Sequence, residues 1–267
     1  MSDCNPVSTP MNPGIRLSTS QSPSSAEEKE EMAKVPYINA VGALMWLAVA
    51  TRPDIIYVVG VLCRFNSNPG KAHWTAVKHL MRHVKGTIDL VPTYSPEPHS
   101  TELFTTYTNA DHGGNPDNGR STSGMVVKVG TGPVAWCSKL QKIVTLSTTE
   151  AEYVAAVSAG QQIIWLRNLL SEFGYEFKSP STLYIDNQSA LAVIKNPEHH
   201  GRMKHLDLRF FWLRDVVSSG DVNPVHISTQ DMPADILTEA LSLEKVKTCR
   251  NMLGMMKCGA SSGGSVG

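Results

Sequence analysis

Residues 146–174, LSTTEAEYVAAVSAGQQIIWLRNLLSEFG, form the stretch that most narrows the choice of fold. Ala156, Ala159, Ile163, Leu166, Leu170 and Phe173 recur at spacings of three and four, which makes one apolar stripe along an α-helix. Ser147, Thr148 or Thr149 can cap its start, and Glu150 and Glu152 follow in the first turn, where carboxylates suit the positive helix end. Gly174 stops it. A stripe this long must pack against something large. Glu152 lies four residues before Ala156 and so heads the stripe, while Glu150 lies round the other side. A carboxylate at the edge of a buried stripe is costly unless it is paired or bound to metal. From this helix alone, a dipole-compensating charge is the first reading of Glu152.

Upstream, residues 1–31 are rich in Ser, Pro, Asn and Glu and are expected to be a disordered or extended lead-in. Residues 36–60 are apolar with a helical period up to Ala50, and a second helix is expected near Pro53. Residues 71–86 (KAHWTAVKHLMRHVKG) predict a helix closed by Gly86, with Trp74, Val77, Leu80, Met81 and Val84 inward. Its other side carries Lys71, Lys78, Arg82 and Lys85 with His73, His79 and His83, and almost no acid offsets them. It is a solvated face or, functionally, a phosphate-contact surface formed by Lys78, Arg82 and Lys85. His79 and His83 have the i,i+4 spacing of metal ligands, but no Glu or Cys completes a site. Residues 32–90 thus form a small helical region, and the Pro- and Ser-rich 91–102 read as a linker.

The second half alternates strands and helices. Strands are expected at 103–109, 125–129 and 133–139, the last two joined by a Gly-Thr-Gly hairpin signal at 130–132. After the opening helix come a strand at 183–186, a helix at 188–195, a basic helix within 199–217, an edge strand at 222–228 containing Pro224, and a helix at 232–241. Three antiparallel strands followed by crossover units imply a mixed sheet with helices packed on it, an α/β fold.

Global charge argues for no partner, because 24 basic and 24 acidic residues cancel. Five scattered cysteines without a CxxC pair favour free thiols in a reducing compartment. No apolar run reaches the roughly 18 residues of a membrane span, so no membrane partner is expected. Three carboxylates occupy comparable places: Glu152 and Asp235 at helix starts, and Asp186 at a strand end. Carboxylates gathered at one sheet edge suit hard Mg²⁺, and two such ions about 4 Å apart activate water and stabilise a leaving oxygen in phosphodiester cleavage. On spacing alone, three unrelated surface acids are the leading reading.

The second half resembles the ribonuclease H domain of Ty1/copia-type retrotransposon polyproteins, through YTNADHGG, RSTSGMVVKVGTGPVAWCSKLQ, LSTTEAEYVA, IIWLRNLL, LYIDNQSALAVIKNP, KHLDLRFFWLRD and ADILTEAL. The first half resembles the end of the reverse transcriptase of the same polyproteins, through VSTPM, YINAVGALMWLAVATRPDI and SNPGKAHWTAVKHLMRHVKGT. The resemblance implies a ribonuclease H-like five-stranded mixed sheet with flanking helices over residues 103–254, a helical remnant of the reverse transcriptase over 32–90, and a flexible tail over 255–267. It implies cleavage of RNA in an RNA–DNA hybrid, with Mg²⁺, or Mn²⁺ in its place, held by Glu152, Asp186 and Asp235. The fourth family acid aligns with Asn109, a neutral amide. Asp111, two residues on, is the candidate to compensate. Glu239-Ala240 stands where the family usually has Lys-Pro.

Arg202, Lys204, Arg209 and Arg214 are expected to contact backbone phosphates, and His205 belongs to a family motif. His226, nine residues before Asp235 at a strand end, is a weak candidate for a mobile histidine near the last acid; for it and for His205 a packed or hydrogen-bonded histidine is the first reading. The chain holds no Asp-Asp pair, so no polymerase activity is expected. The leading expectation is a ribonuclease H module working with an RNA–DNA hybrid and the rest of the retroelement polyprotein. It would be intracellular, in cytoplasmic retroelement particles or the nucleus. The competing expectation is a catalytically dead relic that keeps the fold and nucleic-acid binding; a third is a scaffold that binds protein only.

Overall fold

The computed structural model describes residues 3–96, 102–195 and 207–258. Four helices come first: α1 (Ala26–Ala33), α2 (Tyr37–Ala50), α3 (Ile56–Cys63) and α4 (Lys71–Gly86). The break between α2 and α3 falls at Thr51–Ile55, where Pro53 opens a 3₁₀ turn as its fixed φ favours. α1 lies partly inside the expected lead-in. Its start is a capping box, Ser25 and Glu28 each accepting from the other's backbone N–H.

Next come β1 (Leu90–Pro92), β2 (Thr105–Ala110), β3 (Thr122–Val129), β4 (Gly132–Leu140), α5 (Thr148–Glu172), β5 (Ser181–Ile185), α6 (Gln188–Lys195), α7 (Asp207–Ser218), β6 (Val222–His226), α8 (Leu243–Met252) and β7 (Met255–Lys257). The main sheet has the order β4-β3-β2-β5-β6. β2, β3 and β4 pair antiparallel, while β5 and β6 run parallel to β2. This is the mixed sheet expected from the strand pattern, with the five strands that the resemblance implies. Pro224 lies on the edge strand β6, where a missing donor does least harm.

α5 covers one face of the sheet. Tyr153, Ala156 and Ile163 are buried there against Val127, Leu183 and Ile185. Each fully buried large side chain contributes about 1.5–3 kcal/mol. The opposite face, around Val126, packs into a second core that includes Leu237 and Val246 together with Val58, Leu62 and Leu80 of the helical region. Two polar ties cross the same junction. Trp136 Nε1 donates to the carbonyl of Ala48 at 2.9 Å, and Arg250 Nε donates to Asp54 Oδ2 at 2.7 Å. The stretch 91–102 therefore joins two halves that share a core.

Three further expectations are corrected. The lead-in is extended, but it is packed down: Met11 and Leu17 are each 5% exposed. The helix expected at 232–241 is only a 3₁₀ turn, Pro233–Leu237; Thr238 caps it by donating its N–H to Asp235 O, and Ser242 starts α8 afresh. Residues 255–257 of the expected tail form β7, which pairs antiparallel with β1. Among the described residues, no single helix is long and apolar enough to cross a membrane.

The basic face of α4 is likewise not open. His73 and His83 are buried. Lys85 Nζ donates to Cys4 O at 2.9 Å and Arg82 Nε to Asn5 O at 2.6 Å. His83 Nδ1 lies 3.1 Å from Val7 O, and His79 Nε2 lies 2.9 Å from Thr9 O. Lead-in carbonyls thus take up the donors that were read as phosphate contacts or metal ligands. Lys78 remains exposed.

Candidate active site

The cap of α5 is Ser147, whose hydroxyl accepts from Glu150 N at 3.1 Å. Glu150 is itself buried and accepts from Leu146 N at 2.8 Å, which closes the turn into the helix. One half-turn on, Glu152 reaches β2, where its Oε1 accepts from Ala110 N at 2.9 Å. Its other oxygen, Oε2, is buried with no hydrogen-bond partner. Burial pushes this carboxyl up to about 9; the Ala110 N–H opposes the rise, and the charges of Asp186 and Asp235 add to it.

Asn109 stands on β2 directly opposite Gly124 of β3. A Cβ at Gly124 would meet Thr238 Cγ2 at 2.7 Å and Leu237 Cβ at 2.8 Å. The missing side chain lets the Pro233–Leu237 turn close onto the sheet and brings Asp235 to Asn109. Asn109 Nδ2 donates to Asp235 Oδ1 at 2.6 Å and to Thr238 Oγ1 at 3.2 Å. The amide orientation follows from its neighbours. Thr238 spends its own hydroxyl hydrogen on Asp235 O at 3.0 Å, so both groups facing the amide are acceptors.

The second oxygen of Asp235 is also taken. Lys245 Nζ lies 3.0 Å from Oδ2 and donates to the carbonyls of Thr229 at 2.5 Å and Gln230 at 3.3 Å. Burial raises the Asp235 carboxyl to about 6, against the Lys245 hydrogen bond and charge. Thr229 in turn donates its hydroxyl to Asp186 Oδ2 at 2.9 Å. A continuous polar chain therefore runs Asn109–Asp235–Lys245–Thr229–Asp186.

Asn109, Glu152, Asp186 and Asp235, the four positions expected from the resemblance, line one cleft of about 550 Å³. Asp111 lines it too, but its Oδ1 accepts from the backbone N–H of Thr122. A Cβ at Gly114 would collide with Asp111 Oδ2 at 2.0 Å, so this carboxylate is packed into its own loop. Among the described residues, no three His, Cys, Asp or Glu side chains gather closely enough to hold a metal ion. His226 Nε2 lies 3.1 Å from Asp186 O. Arg214 turns inward to Val193 O, at 3.0 Å from Nη2. Arg202, Lys204 and His205 lie outside the described residues, as does the side chain of Arg209.

No protein-family model matches the chain. It is 43% identical over 256 residues to the retrovirus-related Pol polyprotein from transposon TNT 1-94 of Nicotiana tabacum, covering 96% of this chain and 19% of the relative. It is 35% identical over 259 residues to the Pol polyprotein from transposon RE2 of Arabidopsis thaliana, covering 97% and 17%. The chain belongs to the copia-type retrotransposon Pol family. It spans less than a fifth of the length of the second relative and 19% of the first. Among solved structures, ribonuclease H1 from Halobacterium salinarum overlaps 51% of the chain and 93% of its own, at 19% identity and a TM-score of 0.37. The ribonuclease H-like assignment of this Pol-family chain stands on its own strand order and helix placement. The fold is ribonuclease H-like, and the homology is to retroelement Pol polyproteins.

Sequence reasoning missed Lys245 and Thr238, and also Arg16, Tyr57 and Arg64, which line the cleft. Lys245 lies ten residues beyond Asp235 on a separate helix, and the other three come from the lead-in and the helical region. No local spacing marks either.

Proposed function

We propose that this ribonuclease H-like module engages an RNA–DNA hybrid across the cleft and does not cleave it. The observation that carries this reading is the 2.6 Å hydrogen bond from Asn109 Nδ2 to Asp235 Oδ1. A two-cation phosphodiesterase needs carboxylate oxygens free to face the metals, and it needs their negative charge. Here the first-strand position presents a donor, and a donor repels a cation. Both oxygens of Asp235 are engaged, one by that amide and one by Lys245. Of the cleft carboxylates, Glu152 has one oxygen, Oε2, that is buried with no hydrogen-bond partner. One such oxygen beside Asp186 does not make the donor set of a Mg²⁺ pair, so these residues do not fit the pair.

Without the cations, this chain's own groups hold the cleft together. The amide and ammonium neutralise Asp235, and Thr229 orients Asp186. Binding relies on backbone shape, since a hybrid is recognised by its groove form and 2′-hydroxyls. The test is a comparison of hybrid binding with hybrid cleavage by the wild-type chain in Mg²⁺ and in Mn²⁺. Binding without cleavage is expected. Cleavage would restore the active-nuclease reading, and absence of binding would favour a protein-only scaffold.

A further inference from the structure

We propose that Arg16, Tyr57 and Arg64 form the backbone-gripping wall of the cleft, so that the lead-in and α3 are part of the nucleic-acid site. The inference rests on the hybrid-binding reading above. It starts from the lead-in, which is fixed on both sides of the cleft. On one side Val7 O and Thr9 O meet His83 and His79 of α4, at 3.1 and 2.9 Å. On the other, Asp117 accepts from Ser18 Oγ at 2.6 Å, Thr19 N at 3.0 Å and Thr19 Oγ1 at 2.9 Å. Ser18 O lies 3.1 Å from His73 Nε2, and the His73 ring stacks on Phe65 with centroids 3.8 Å apart. A Cβ at Gly70 would meet Gln21 O at 1.9 Å, so the lead-in also lies hard against the start of α4.

Between these anchors, residues 11–17 border the cleft. Met11 and Leu17 are buried, and Arg16 is left exposed at the rim. Beside it stand Tyr57 of α3 and Arg64 just past that helix. Arg64 is half-buried and reaches Thr122 Oγ1 with Nη2 at 3.5 Å. Two guanidinium groups and a phenol therefore line the same cleft as Glu152, Asp186 and Asp235. The acids whose charges act on them are Asp111 and Glu239 at Tyr57, and Asp111 and Asp117 at Arg64. Guanidinium and phenol are the chemistry that takes phosphodiester oxygens and a ribose or base face. The carboxylates lack the donor set for a cation pair to draw a phosphate in, and the two arginines supply the attraction.

The experiment measures anisotropy of a fluorescent RNA–DNA hybrid with the full chain over a series of salt concentrations, for wild type, Arg16→Glu, Arg64→Gln, Lys29→Glu and Lys78→Glu. The control is Lys29→Glu, since Lys78 is itself a candidate phosphate contact; Lys29 is an exposed basic residue of α1 that does not line the cleft. Arg16→Glu and Arg64→Gln are expected to weaken binding severalfold and to lower the slope of log K against log salt by about 1 each. Lys29→Glu is expected to bind as wild type, and Lys78→Glu shows whether α4 adds a contact of its own. Wild-type affinity and slope in both arginine variants, or an equal loss in Lys29→Glu, would overturn the wall. Failure of the wild type to bind the hybrid at all would instead overturn the hybrid-binding reading. Should Arg64→Gln fail to fold, amide exchange of the wild type decides. Protection of residues 11–17 on adding the hybrid is expected, and unchanged exchange there would contradict the proposal.

Discussion

Asn109 and Asp235, 126 positions apart in sequence, are joined by a charge-assisted hydrogen bond of 2.6 Å in which the amide donates. The bond fills a position where the resemblance to copia-type ribonuclease H domains implies an acid. It therefore stabilises the cation-free cleft, and it does so at the expense of the charge that metal-dependent cleavage requires.

Asn109→Asp should consequently lower stability in the absence of metal. It replaces a donor with a carboxylate beside Asp235 in a buried site, a loss on the order of 1–3 kcal/mol. Thermal melting in EDTA should show the drop, and Mn²⁺ should reverse part of it in the variant only. A wild-type melting temperature that rises equally with Mn²⁺ would contradict this.

Gly124→Ala tests how the turn carrying Asp235 is placed. Its Cβ would sit 2.7 Å from Thr238 Cγ2 and 3.1 Å from Ala234 O. Overpacking of this kind costs about 1–3 kcal/mol. Urea unfolding should report it, and an unchanged midpoint would show that the turn yields easily.

The stretch 91–102 should not be a point of excision. A chain beginning at residue 103 would expose the face around Val126, Leu237 and Val246, and it would leave Arg250 without Asp54. It is expected to aggregate or bind a hydrophobic dye, whereas the full chain melts in one cooperative transition. Two separate calorimetric transitions in the full chain would refute the shared core.

Acid should weaken the same junction. Burial pushes the Asp54 carboxyl up, but the hydrogen bond and charge of Arg52 and the charge of Arg250 outweigh it, leaving it at about 2 against an ordinary 3.8. A depressed folded value means that this stability is fully present above pH 3.8 and is lost as the pH falls toward 2. The difference is worth about 2 kcal/mol. Asp54→Asn should flatten the pH dependence in that window and, by stranding two buried arginines, cost about 3–5 kcal/mol at neutral pH. Denaturation midpoints from pH 2 to pH 5 check both effects.

What the sequence makes legible is what local period and turn chemistry encode. The α5 stripe from Ala156 to Leu170, the Gly130 hairpin and the edge placement of Pro224 all follow from spacings within a few residues. Phe173, expected to end the stripe, is instead exposed just past the helix. The departure at Asn109 is legible because it falls inside a motif. The packed lead-in is not, because backbone carbonyls accepting from His79, Arg82 and Lys85 leave no pattern in residue type. The burial of Glu150 was hidden for a similar reason: a turn and not a helix face determines it. Arg16, Tyr57 and Arg64 join the carboxylates in one cleft only through the shared core, which no spacing along the chain encodes.

The most direct test of the account is one gel of a labelled RNA–DNA hybrid incubated with the folded wild-type chain in Mg²⁺ and in Mn²⁺, beside a binding measurement on the same sample. The account predicts a bound and intact hybrid in both metals. RNA-strand cleavage in Mg²⁺ that is lost in Glu152→Gln would contradict it.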